Sequence, residues 1–214
     1  MTVRQDRRGF VGRVAAVTGL LVPGAAMLAR AGERADTEPW MRGLDGKHRV
    51  AVDIATLRDG HPLAQIKAML DTYRDEYRAE GRAVSLVAAV RGGALPLALD
   101  DATWTGLLLA ERMDLRDART KAAWSRNVFA RPGLGAPVPD GATVSALQER
   151  GVRVLACRNT IRGLATRLAT PEMNTASVER RLEEGLLPGV MIVPAMVVAL
   201  ARLQERRFSY VYAG

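Results

Sequence analysis

Cysteine is nearly absent: the chain has one, Cys157, in 214 residues. That count excludes an internal disulfide and a zinc site built on clustered thiolates. Histidine is almost as scarce, with only His48 and His61, so a histidine-rich metal site is not expected and no metal or organic cofactor is required. Aromatic residues make up 5% of the chain, and no stretch mixes dense Lys and Arg with aromatics. Nucleic acid is therefore not an expected partner. No apolar run comfortably reaches the roughly 20 residues that span a bilayer. The glycine motifs G-x-G-x-x-G and G-x-x-x-x-G-K-[ST] are missing, as is the G-x-S-x-G elbow of serine hydrolases. Arg91-Gly92-Gly93 is too short for a nucleotide fingerprint and reads first as a tight turn.

What is present begins with a leader. Arg7-Arg8-Gly9-Phe10 precedes a mildly apolar stretch from Val14 to Leu28, and Ala29-Arg30-Ala31 supplies a small-residue cleavage site. This is the arrangement of an export signal, and the arginine pair resembles a twin-arginine leader. Asp6 stands where Ser or Thr is usual. Residues 1–31 are expected to be removed, leaving no stable membrane anchor and a periplasmic or otherwise extracytoplasmic protein. The leader holds Arg4, Arg7, Arg8, Arg13 and Arg30 against Asp6, a net +4, so only +4 of the formal +8 belongs to the rest. That remainder is scattered over helical faces, the ordinary solvated pattern.

Residues 32–46 read as a polar tether and 47–214 as one α/β domain. Strands are expected at Arg49–Ile54, Val84–Val90, Val152–Ala156, Leu186–Pro194 and Phe208–Tyr212. Helices are expected at Pro62–Glu80, Thr103–Arg112 and Thr143–Arg150, then one capped by Asn159 or Thr160 and running to about Leu168, and at Thr175–Glu184 and Ala195–Arg206. The uninterrupted apolar run Val84–Val90 is the signature of a strand buried on both faces. Alternation of strand and helix predicts a three-layer α/β/α sandwich with a mostly parallel five-stranded sheet. Residues 113–140, with their Pro and Gly cluster, form an irregular segment long enough to be functional or an assembly element.

Cys157 falls where the third strand ends and a helix begins. Free N–H groups and a partial positive charge at such a helix start favour a thiolate. The alternative is a small buried hydrophobe that happens to be Cys. His61 and Arg91 follow the first two strands, so a parallel sheet opens their loops on the same edge as Cys157, the edge where such folds bind ligands. A thiolate near Arg and His would accept an anionic sulfur compound. Each of His61 and Arg91 is also readable as a plain loop residue. Asp100-Asp101 reads as helix capping in preference to a catalytic carboxylate pair.

The run Leu147-Gln148-Glu149-Arg150-Gly151-Val152-Arg153-Val154-Leu155-Ala156-Cys157-Arg158-Asn159-Thr160 resembles the DsrE/DsrF-like family of sulfur-oxidation and sulfur-relay proteins. So do Leu187-Pro188-Gly189-Val190, Val193-Pro194 and Leu203 to Val211. Val90 to Ala94, Ala98 to Asp101, Trp104 and Arg126-Asn127 look like an exported branch of that family. The resemblance covers about Lys47 to Val211. It implies a five-stranded parallel α/β/α domain of the DsrE-like (YchN-like) type that assembles as a homo-oligomer, a trimer or hexamer, or as a hetero-oligomer. It also implies a cysteine after this strand that carries sulfur as a persulfide, a place only Cys157 fills here. Arg91, His61, Arg158 and Asn159 are the residues expected to bind a sulfur substrate beside it.

Two functions follow. The first is an exported sulfur-relay or sulfur-oxidation accessory protein carrying persulfide on Cys157, a transfer protein more than a turnover enzyme, with a sulfur donor or acceptor protein as partner. The second is a non-catalytic oligomeric binding or accessory module of the same fold. The long 113–140 segment is foreign to the smallest relay proteins.

Overall fold

The computed structural model describes residues 38–214, so the expected leader lies outside the described residues. Five strands, β1 (His48–Ile54), β2 (Val84–Val90), β3 (Arg153–Cys157), β4 (Met191–Val193) and β5 (Ser209–Tyr212), form one sheet in the order β4-β3-β2-β1-β5. Every pairing is parallel. The expected α/β sandwich with a parallel five-stranded sheet is the architecture observed. β2 is buried along its whole length, which its unbroken apolar run required of a strand with neighbours on both sides.

Side-chain alternation divides the sheet into two unequal faces. Val50, Val52, Ile54, Leu86, Ala88, Val90, Val154 and Ala156 face the larger core. That core is covered by α1 (His61–Asp75), α2 (Asp101–Gly106), α4 (Val144–Glu149), α5 (Arg158–Leu168) and α6 (Thr175–Glu184), with the short α3 (Leu109–Arg112) at its rim. Ala51, Val87, Ala89, Leu155 and Cys157 face the smaller core, which is covered by α7 (Met196–Glu205) and by residues 39–44. On α7, Met196, Ala199, Leu200 and Leu203 are buried, the i, i+3, i+4, i+7 stripe of a helix with one apolar face.

The domain begins before the expected Lys47. Trp40, Met41 and Leu44, read from sequence as tether, are buried in the smaller core. Arg153 holds this strap by donating to the carbonyl of Trp40 at 2.9 Å and that of Arg42 at 3.2 Å. Burying a side chain such as Met41 contributes about 2 kcal/mol, enough to fix a segment whose composition looks polar.

Other boundaries moved for local reasons. α1 stops at Asp75, short of Glu80, because Arg78 takes a left-handed φ of 52° and lets the Ala79 N–H close on the Tyr73 carbonyl at 2.9 Å. The expected Thr103–Arg112 helix is two pieces, divided at Leu108 with φ 50°. Its start is capped by Asp100, whose carboxylate accepts from the Thr103 N–H at 2.7 Å, as the capping reading anticipated. β4 covers only Met191–Val193 because Pro188-Gly189 forms a turn, with the Val190 N–H bonded to the Leu187 carbonyl.

The 113–140 segment is anchored from within. Asn127 is fully buried, and its Nδ2 donates to the carbonyls of Pro96, Leu97 and Leu99 while its Oδ1 accepts from the Phe129 N–H. Phe129 meets Trp124 edge-on, with ring centroids 5.0 Å apart, a geometry that aromatic quadrupoles favour.

Candidate functional site

Cys157 is the last residue of β3 and the N-cap of α5. Asn159 or Thr160 was expected to cap this helix; the chain instead turns two or three residues earlier, directly from strand to helix. The sulfur therefore faces the first amides of α5 and, across the sheet end, the start of α7. The Met196 N–H donates to Sγ at 3.4 Å. Burial pushes the thiol pKa up, but the Thr160 side chain, the Met196 amide and the amides of Thr160 and Asn159 outweigh it, and the thiol lies below its ordinary value. Cys157 makes no side-chain capping bond to this helix start; the polarity of the Asn159 and Thr160 amides alone favours negative charge on sulfur.

Thr160 connects this thiol to the loop after β2. Its Oγ1 accepts from the Gly92 N–H at 3.1 Å. Gly92 has φ 55°, and a Cβ there would lie 3.0 Å from the Ala55 carbonyl oxygen, so the turn that aims this amide requires glycine. The tight-turn reading of Arg91-Gly92-Gly93 holds, and the turn also serves the cysteine's neighbour.

Arg91 leaves β2 level with Cys157, since Val90 and Ala156 are register partners. Its side chain does not serve the sulfur. Nε and Nη2 donate to the two carboxylate oxygens of Asp53 at 2.8 and 2.9 Å, a paired geometry that suits a guanidinium. Asp53 is 2% exposed, and the Tyr210 hydroxyl donates to it at 2.9 Å. The bond to Asp53 raises the pKa of Arg91 above its usual value and also that of Tyr210. Asp53 on β1 and Tyr210 on β5 lie on the Cys157 face of the sheet, two and three strands from β3, and Arg91 reaches them from the end of β2.

The remaining candidates are dispersed. Arg158 is bonded to Glu183 at 2.6 Å. Asn159 is exposed and contributes its amide to the sulfur. His61 begins α1, which packs on the larger core, and it borders a groove with Pro137, Val138 and Pro139. The expected meeting of His61 with Cys157 does not occur, because the loop after β1 carries the chain to the opposite face. Sequence reasoning missed Thr160, Asp53 and Tyr210. Asp53, a carboxylate inside an apolar strand, was the one signal available. Cys157 itself is 5% exposed, enclosed by Val193, Met196 and their neighbours in the smaller core.

Among the described residues, no cluster of three or more His, Cys, Asp and Glu residues is placed to hold a metal ion. No helix among them is long and apolar enough to cross a membrane.

No family model matches the chain, and no curated protein matches it. Among solved structures, it is similar to a protein of unknown function from Methanobacterium thermoautotrophicum. That similarity has 18% identity over 77% of this chain and 98% of the other, with a TM-score of 0.43.

Proposed function

We propose that the protein is an exported sulfur-relay or sulfur-oxidation accessory protein of the DsrE/DsrF-like type, with Cys157 as the sulfur carrier. The observation that supports this reading is the convergence of donors on one sulfur: the Met196 amide at 3.4 Å, the Thr160 side chain and the first amides of α5. A cysteine that served only as core filler would need none of them. In the proposed step the Cys157 thiolate attacks the terminal sulfur of a persulfide R–S–SH. A new S–S bond forms to Cys157, the old S–S bond breaks, and R–S⁻ leaves with the electron pair. No external oxidant or reductant is needed, and the sulfane proton stays with the transferred sulfur. In this proposal the sulfur is reached by opening the turn Pro194-Ala195, which is partly exposed and leads directly into Met196, whose amide meets Sγ. Export by a twin-arginine leader, to a periplasmic or other extracytoplasmic location, belongs to the same proposal.

Partners are a sulfur donor or acceptor protein and further copies of the chain. Val197 and Val198 on α7 are 68% and 57% exposed, and Tyr210 and Tyr212 on the adjoining β5 are exposed too. An apolar group of this kind on a helix and a neighbouring edge strand favours self-association. The same surface supports the second reading, a non-catalytic oligomeric module acting through that face, with Cys157 as core.

Intact mass of the protein after exposure to a persulfide donor decides between them, with Cys157→Ser in parallel. A reducible gain of one or more sulfur atoms, lost in Cys157→Ser, is expected. No gain, with a thiol that resists alkylation until the chain is unfolded, would overturn the carrier reading.

A further inference from the structure

On the face of the sheet away from Cys157, the loops after β1 and β2 meet the 113–140 segment and the end of α5. Between them lies an open cleft of about 610 Å³. Its charged lining is Arg58, Arg112, Arg116 and Arg167 against Asp59 and Asp114. Asp114 is taken up by Arg116 at 2.6 Å. Arg112 is held still by the Leu168 and Arg167 carbonyls, at 2.8 and 3.5 Å, which orients its guanidinium without neutralising it. Arg58 and Arg167 have no side-chain partner among the described residues. Three guanidiniums thus face one remaining carboxylate, Asp59. Trp124, Met113 and Leu115 give the same cleft an apolar wall.

The loop that presents Arg58 is strained. Arg58, Asp59 and Gly60 take φ of 40°, 52° and 78° in succession. A side chain at Gly60 would strike the Phe129 ring, 2.5 Å from its Cβ, so the ring of the 113–140 segment and this loop are fitted to each other. Two consecutive non-glycine residues in the left-handed region cost about 1 kcal/mol or more each. Strain of that size persists where the surrounding structure holds it, and it concentrates at ligand clamps.

We infer that this cleft is a binding site for a small organic dianion with an apolar body, such as a phosphate monoester or an aromatic dicarboxylate. Paired guanidiniums match the planar or forked oxygens of such a head group, and the Trp124 wall matches the body. The site is separate from Cys157 and does not rest on the sulfur reading.

The test is isothermal titration of the protein with phenyl phosphate and with phthalate, with inorganic phosphate and phenol as the separate halves. One of the two dianions binds more tightly than either half. Arg58→Ala and Arg167→Ala each weaken it by about tenfold. Arg82→Ala, an equal loss of charge before β2 at the other end of the sheet, leaves it unchanged, as does Cys157→Ser. Melting temperatures of the variants, compared with the parent, show that the fold is retained. No heat from either dianion at millimolar concentration would overturn the inference. So would binding that Arg58→Ala and Arg167→Ala leave intact, or that Arg82→Ala weakens equally.

Discussion

Gly92 and Thr160 are joined by a 3.1 Å bond in which the loop amide donates and the hydroxyl accepts. The hydroxyl's own proton is left free to be donated, and the Thr160 side chain is one of the groups that lower the Cys157 pKa. The β2 loop and the thiol at the end of β3 thus share one side chain, that of Thr160.

Thr160→Val removes that proton while keeping the side chain's shape. The thiol pKa should rise toward its ordinary value of 9.0, read as far-ultraviolet thiolate absorbance against pH. Because the folded pKa is lowered, the thiolate's contribution to stability is full above the unfolded value and is lost as pH falls through the folded one. The stability gap between parent and Cys157→Ser should widen with pH across that window. An unchanged titration in Thr160→Val would show that the hydroxyl plays no part.

The Asp53 triad makes the opposite pH prediction. Tyr210 is raised above 10.0 by its bond to Asp53, so its contribution is full below that value and is lost as pH rises through the folded pKa. Tyr210→Phe should cost about 0.5–1 kcal/mol near neutrality, since the hydroxyl is partly solvated. Asp53→Ala should cost more, about 2–3 kcal/mol, by leaving the Arg91 guanidinium without its carboxylate. Denaturant midpoints at pH 7 and pH 10.5 (about half a unit above the ordinary tyrosine value) separate the two effects.

Asn127→Ala strips one side chain from three carbonyls and one amide, all interior. A loss of about 3 kcal/mol is expected, since several buried polar groups lose partners together. Urea unfolding measures it, and a loss under about 1 kcal/mol would mean water replaces the amide without penalty.

Val197→Lys combined with Val198→Lys should leave folding intact, because both side chains point outward from α7. Sedimentation velocity should show a smaller species than the parent. Identical sedimentation would place any self-association on another face.

The sheet was legible because its signals are local. β2 announced itself as an apolar run, and the helix expected at Thr175–Glu184 holds to the residue at both ends. Boundaries failed where a residue did something its type rarely does. Arg78 and Leu108 adopt left-handed backbone, and propensity gives no warning of that. Cys157 and Arg91 could be found because each stands where a strand ends. His61 met the same rule and still went to the wrong side, because strand spacing does not say on which face the next helix will pack. Tyr210 was out of reach for another reason: it meets Asp53 across 157 positions, and only the placing of β5 beside β1 brings them together.

The strap at Pro39–Leu44 sets a limit on how far the chain can be trimmed from its N-terminal side. Cutting after Ala31 would spare every residue that Arg153 grips. A protease that reached Trp40 and Met41 would strip buried side chains, and with them part of the smaller core that also holds Leu155 and the cysteine. Packing thus bounds from inside how far the chain can be shortened: a cut within the strap takes away what Arg153 holds, whatever enzyme makes it.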